Sequence, residues 1–143
     1  MQIHRLRLGW SSLAASTILT VSNCLAADAP AGEKITYQDH VRPLLENKCF
    51  SCHNPDKKKG DLDLTSFAAL MSGGGGGAVV DPGNTAGSRI ITTTTKKEEP
   101  YMPPEGDPLA SKDIEILSKW VAGGVLETAS SIAKMSNKPK VSM

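Results

Sequence analysis

The stretch Cys49-Phe50-Ser51-Cys52-His53 decides which fold this chain of 143 residues adopts. A C-x-x-C-H motif is typical of the covalent attachment of a c-type haem. The two thiols add across the two vinyl groups of the haem, and the histidine becomes an axial ligand of the iron. The motif therefore predicts one covalently bound haem c, attached through Cys49 and Cys52, with His53 as the proximal iron ligand.

Two other kinds of site share the C-x-x-C spacing. A disulfide oxidoreductase site needs a thioredoxin-like βαβ context, and the hydrophobic runs of this chain show no such alternation. A structural zinc site needs four cysteine or histidine ligands. Beyond the N-terminal segment only Cys49, Cys52, His53 and His40 are present, and two of these are adjacent. Haem attachment is therefore the better interpretation.

The N-terminal residues have the pattern of a secretory signal peptide. His4, Arg5 and Arg7 precede a mostly apolar stretch at 8–21, and a small-residue cleavage site follows, with cleavage after Ala26 or Ala27. The apolar stretch is shorter than the roughly 20 residues that a membrane-spanning helix needs. We therefore expect residues 1–26 to be removed on export, leaving a soluble periplasmic protein with no membrane span.

The composition predicts one small, nearly neutral domain. The chain has 16 Lys and Arg against 15 Asp and Glu, and the signal peptide removes two of the basic residues, so no broad basic surface for nucleic acid is expected. The domain is predicted at 35–127, between a disordered leader at 27–34 and a flexible polar tail at 128–143. With two Trp, two Tyr and two Phe in the chain, a buried haem would supply apolar mass that the core lacks.

The first predicted helix leads into the haem-attachment motif. Thr36 and Asp39 have capping-box spacing, and apolar residues follow at helical intervals up to Cys49. Pro43 lacks a backbone donor, so the helix either starts near Asp39 or bends at the proline. His40 lies on this helix, where a partly exposed structural role is favoured over iron ligation.

Two further helices have clear signals, and one segment is ambiguous. A short helix from about Thr65 or Ser66 to Met71 would turn Phe67 and Leu70 inward. The last helix has Ser111 as its predicted N-cap, an apolar face formed by Ile114, Leu117, Trp120 and Val121, and an end at Gly123-Gly124. Residues 85–94 favour a strand through their β-branched side chains and a helix through Asn84 or Thr85 as cap. The glycine run at 73–77 lacks a following Gly-Lys-Ser/Thr and is interpreted as a flexible loop.

The second axial position of the iron has two methionine candidates. Met102 is followed by Pro103 and Pro104, which restrict the backbone of a loop that presents a thioether. Met71 borders the glycine run and is better interpreted as core filler. Met102 is therefore favoured as the distal ligand.

The order of these motifs resembles the planctomycete-type cytochrome c domain over about residues 37–124. The resemblance rests on Val41-Arg42-Pro43-Leu44-Leu45 before the haem motif, Gly60-Asp61-Leu62-Asp63-Leu64, Pro82-Gly83-Asn84 with Ser88, Met102-Pro103-Pro104, and Leu117 to Trp120. It implies a small all-α cytochrome c fold of about three to five helices, with long loops, wrapped around a covalent haem. It also implies His53 and Met102 as the iron ligands, and a helix at 85–94.

These expectations together predict an electron carrier and not an enzyme. An iron with histidine and methionine ligands has no coordination position left for substrate. The expected partners are other redox proteins that meet an exposed haem edge, and a monomer is expected. The alternative functions are a peroxidase-like haem protein, which would need Met102 to leave the iron, and a haem-sensor module.

Overall fold

Four α-helices joined by long loops form the regular structure of residues 33–136, the part of the chain that the computed structural model describes. No strand is found in this range, where a single β-bridge joins Gly74 to Gly77. The all-α prediction, with about three to five helices, is therefore confirmed. The helices are α1 (Arg42–Lys48), α2 (Phe67–Ser72), α3 (Arg89–Thr94) and α4 (Ser111–Ala122), with a π-helical turn at Tyr37–Val41 and a 3₁₀ turn at Lys59–Asp61.

The predicted signal peptide, residues 1–26, lies outside the described residues, as do most of the leader and residues 137–143. None of the helices within 33–136 is long and apolar enough to cross a membrane.

The N-terminal helical segment begins at the predicted capping box. The Thr36 hydroxyl accepts a hydrogen bond from the Asp39 amide at 3.1 Å and donates one to the Asp39 carboxylate at 2.7 Å. The π-helical turn passes into α1 at Arg42, and Pro43 follows in the first turn of α1. The segment thus changes its helical geometry close to the proline and then runs to Cys49.

Helix α3 resolves the ambiguity at 85–94 in favour of a helix, but the helix covers only 89–94. Its N-cap is Ser88, so the prediction of Asn84 or Thr85 as cap was wrong, because residues 85–87 form a turn before the helix. The hydroxyls of Thr93, Thr94 and Thr95 donate to the carbonyls four residues earlier, at 2.6, 2.6 and 2.7 Å. These bonds satisfy the threonine side chains inside the helix. Ile90, Ile91, Thr93 and Thr94 are buried, so tertiary burial outweighs the strand preference of β-branched residues.

The ends of α2 and α4 test the remaining helix predictions. Ser66 caps α2 through a hydrogen bond from the Ala69 amide, and Phe67 and Leu70 are buried as predicted. Helix α4 ends before Gly123, as expected, but its N-cap is Ala110. The prediction of Ser111 as N-cap was wrong by one residue, because the chain enters the helix with Leu109 buried just before it.

Three aromatic side chains form the centre of the core. The Tyr37 ring lies 5.5 Å from that of Phe67 and 6.3 Å from that of Trp120. The Tyr37 hydroxyl donates to the Leu64 carbonyl at 3.0 Å, and the Trp120 indole N–H donates to the Leu126 carbonyl at 2.9 Å. Both polar groups of these buried rings therefore have partners, as burial requires.

Residues after α4 are hydrogen-bonded to the rest of the domain. The Lys134 amide donates to the Gly124 carbonyl at 2.8 Å, and the Ser136 amide donates to the Pro82 carbonyl at 2.7 Å. The Lys134 ammonium lies 5.4 Å above the Phe67 ring, within the range of a cation–π contact.

Replacing Tyr37 by phenylalanine should lower the free energy of unfolding by about 1–3 kcal/mol, because it removes the hydroxyl bonded to the buried Leu64 carbonyl. Urea unfolding of the purified protein measures the change. Tyr101→Phe is the matched control, since Tyr101 is 44% exposed; its effect should stay within about 0.5 kcal/mol. Equal losses in both variants would contradict a structural role for the Tyr37 hydroxyl.

Candidate haem site

The C-x-x-C-H motif is a tight turn that continues directly from α1. Cys49 is the C-terminal cap of the helix, and its amide donates to the Leu45 carbonyl at 2.7 Å. The amides of Cys52 and His53 both donate to the Cys49 carbonyl, at 3.1 and 3.0 Å. Because this backbone is internally bonded, α1 holds both thiols and the imidazole close together.

These three side chains line a cavity of about 560 Å³. This volume falls in the range of roughly 300–1,000 Å³ that is usual for cofactor and small-molecule sites. Much of the remaining wall is aliphatic and comes from several separate segments of the chain: Leu45, Leu62, Leu64, Val79, Ile90, Leu109 and Leu117. The cavity is therefore suited to a large, mostly apolar group.

Met102 lines the same cavity, together with Pro103 and Pro104. Its amide donates to the Thr93 carbonyl at 3.1 Å, which ties the loop to α3. Met71 packs against the hydrophobic core from α2 and is not among the residues that line the cavity. The structure thus brings the predicted distal methionine and the attachment motif together, and it leaves the competing methionine elsewhere.

Comparison with known families identifies the segment that contains this site. Residues 49–106 match the family model described as Planctomycete cytochrome C. This segment is therefore similar to the planctomycete-type cytochrome c domain. The match confirms the resemblance that the motifs indicated, and it spans the attachment motif and the Met102 loop. No curated protein and no solved structure matches the chain.

This family implies a haem-binding c-type cytochrome. The residues of the cavity fit a haem. The site offers two thiols, one imidazole and one thioether around largely apolar walls. The Nδ1 atom of His53 is buried and has no hydrogen-bond partner among residues 33–136. His53 thus differs from His40, whose ring nitrogens both have protein partners.

His40 differs from His53 in the partners of its ring nitrogens and in its position relative to the cavity. Its Nδ1 accepts a hydrogen bond from the Thr36 amide at 3.2 Å, and its Nε2 lies 3.2 Å from a carboxylate oxygen of Glu33. Both ring nitrogens are engaged at the start of the first helical segment, and His40 does not line the cavity. These contacts agree with a structural histidine.

The thiols have properties that suit haem attachment better than the two alternatives. Cys49 and Cys52 form no disulfide. Burial, with a smaller contribution from Cys52, raises the pKa of the Cys49 thiol to about 11, whereas a disulfide-exchange nucleophile needs a lowered pKa. Within 33–136 no group of three or more His, Cys, Asp or Glu side chains is arranged to hold a metal ion.

Asn54, which follows the motif directly, is a positioning residue that the sequence reasoning did not identify. Its side-chain amide donates to the Phe50 carbonyl at 2.6 Å, and its side-chain oxygen accepts from the amides of Asp56 and Lys57 at 3.0 and 2.9 Å. The signal was present, since asparagine before a proline is a common turn former. Asn54 thus closes the loop that carries His53.

Asn54→Ala should reduce the free energy of unfolding by about 1–3 kcal/mol, because three hydrogen bonds of the motif loop are lost together. Denaturant titration measures this loss. The control is Asn47→Ala on α1, where an exposed side chain makes one bond to the Pro43 carbonyl and the expected cost is about 0.5 kcal/mol. A loss no larger at Asn54 than at Asn47 would show that the loop does not depend on Asn54.

Proposed function

We propose that this protein is a one-electron carrier that holds a single covalent haem c. In this proposal Cys49 and Cys52 form the thioether bonds, and His53 and Met102 are the two axial ligands. The observation that carries the proposal is that Met102 lines the same cavity as the three residues of the attachment motif.

Histidine and methionine ligation suits electron transfer. The bound haem supplies the redox chemistry, and methionine as second ligand raises its reduction potential. The protein's own residues hold the two ligands and surround them with aliphatic side chains that exclude water. With both axial positions filled, no coordination site remains for a substrate, so electron transfer is favoured over peroxidase-like catalysis.

The loop contacts of Met102 favour stable ligation. The Thr93 carbonyl accepts its amide hydrogen, and the two prolines that follow restrict the backbone. A thioether on a tethered loop loses little conformational entropy on binding iron, whereas a thioether on a free loop would lose more.

The proposed setting is the periplasm, where the predicted signal peptide would deliver the chain and where covalent haem attachment takes place. The proposed partners are other redox proteins that meet an exposed haem edge in a small, transient interface. The protein is proposed to act as a monomer, and its nearly balanced charge gives no support for nucleic-acid binding.

Covalent attachment is tested by a double substitution, Cys49→Ala with Cys52→Ala. Haem should stay with the wild-type polypeptide in acidified acetone and should be extracted from any haem-loaded double variant, since both thioether bonds are absent. Ser51→Ala, which changes the same motif but no thiol, should retain its haem. Extraction of haem from the wild-type protein would rule out thioether attachment.

Distal ligation is tested by Met102→Ala. We expect loss of the sulfur-to-iron charge-transfer band of the oxidised protein, a high-spin or water-ligated iron, and a lower reduction potential, because the thioether stabilises reduced iron. Optical spectroscopy and redox titration measure these changes, and weak peroxidase activity is expected as peroxide reaches the open position.

Met71→Ala is the matched control for Met102→Ala. It should keep the charge-transfer band and lower only the stability, by less than the roughly 2–5 kcal/mol of a fully buried methionine, since Met71 is only partly buried. A band that survives in Met102→Ala and disappears in Met71→Ala would make Met71 the distal ligand.

A further inference from the structure

Arg89, at the start of α3, is a cation held at the wall of the haem cavity. Its Nη1 donates to the Gly76 carbonyl at 3.2 Å. Its Nε lies 3.6 Å from a carboxylate oxygen of Glu98, which is outside hydrogen-bond distance. The guanidinium is thus oriented from two sides, by the glycine loop and by the loop after α3.

Most of the hydrogen-bonding capacity of this guanidinium is unused. The group carries five N–H donors, and the contact with Gly76 is its one hydrogen bond within residues 33–136. The Nε atom is buried and has no partner there. The Nε–H is buried without an acceptor while the side chain as a whole is 32% exposed, so its unused donors can bind an acceptor that comes from outside the polypeptide.

Gly76 is required for the position of Arg89. A Cβ atom on Gly76 would lie 2.2 Å from the Arg89 Nη1, far inside contact distance. The loop is itself held down, because the Gly75 amide donates to the Gly60 carbonyl at 2.8 Å. The glycine run at 73–77 therefore does more than supply flexibility, since it admits an arginine side chain to the cavity wall.

We infer that Arg89, positioned by Gly76 and Glu98, binds a propionate carboxylate of the haem. This inference rests on the proposed function, since it needs haem in the cavity. A haem carries two carboxylates, and a guanidinium is the side chain whose fork of donors matches a carboxylate. Lys48 and Lys59 also line the cavity, but both are exposed and neither has the two-sided support of Arg89.

The charge of Arg89 gives it an effect on the iron as well as on the propionate. A positive charge held in a partly apolar site favours the reduced form of the iron, whose charge is lower by one unit. Arg89 is thus a positioning residue for the cofactor that also raises the reduction potential.

The test compares Arg89→Gln with Arg42→Gln in the haem-loaded protein. Arg42 is an exposed arginine on α1 that pairs with Glu46 and does not line the cavity. Arg89→Gln should shift the propionate bending band in the resonance Raman spectrum and lower the reduction potential, with the methionine charge-transfer band retained. Arg42→Gln should leave the bending band and the potential at their wild-type values.

Two further variants separate position from charge. Arg89→Lys keeps the positive charge but loses the paired guanidinium donors. The bending band should therefore shift, whereas the reduction potential should stay close to its wild-type value. Gly76→Ala keeps Arg89 but displaces it, and it should shift the bending band in the same direction. If Arg89→Gln fails to fold, these two variants decide the question by the same Raman measurement.

The outcomes distinguish this inference from the proposed function. A wild-type protein without covalent, methionine-ligated haem would overturn the proposed function, and the inference with it. A wild-type protein with such a haem, whose bending band is unchanged in the Arg89 and Gly76 variants, would overturn the role of Arg89 alone. Equal shifts in Arg42→Gln would also overturn it, because they would show a general effect of surface charge.

Discussion

The burial of Tyr37 is the interaction on which the rest of the domain depends. Its amide donates to the Leu126 carbonyl at 2.8 Å and its hydroxyl to the Leu64 carbonyl at 3.0 Å, while its ring lies between those of Phe67 and Trp120. One side chain thus joins the start of the domain to its C-terminal region and to the segment before α2. Because α1 follows directly from the π-helical turn that Tyr37 begins, these contacts also fix the direction in which α1 presents the attachment motif.

The domain combines a small aromatic core with a large, mostly apolar cavity. A chain with few aromatic residues buries little apolar area by itself. Helices α1, α3 and α4 each contribute a side chain to the cavity, namely Leu45, Ile90 and Leu117. A cofactor bound there would make contact with three helices at once and would add the apolar burial that the polypeptide lacks. Cofactor binding and folding are therefore expected to be strongly coupled.

Helix α3 contacts both the glycine loop and the loop that carries Met102. Its first residue, Arg89, reaches the glycine loop, and the carbonyl of Thr93, one turn later, holds the amide of Met102. The Glu98 carboxylate also accepts a hydrogen bond from the Thr92 hydroxyl at 2.7 Å while it faces Arg89. A six-residue helix thus supports both the proposed distal ligand and the proposed carboxylate anchor, and a shift of α3 would affect both.

The sequence by itself determined the features that depend on local spacing: the C-x-x-C-H motif, the Thr36 cap, the inward face of α2 and the end of α4. Local propensity could not decide between helix and strand at 85–94, because the burial of Ile90 and Ile91 comes from the surrounding fold. The tertiary structure alone placed Arg89 beside Gly76 at the cavity wall, since these residues are 13 positions apart in the sequence. A contact between distant residues leaves no periodic pattern in the sequence, whereas helices, caps and attachment motifs act over a few neighbouring residues and therefore do.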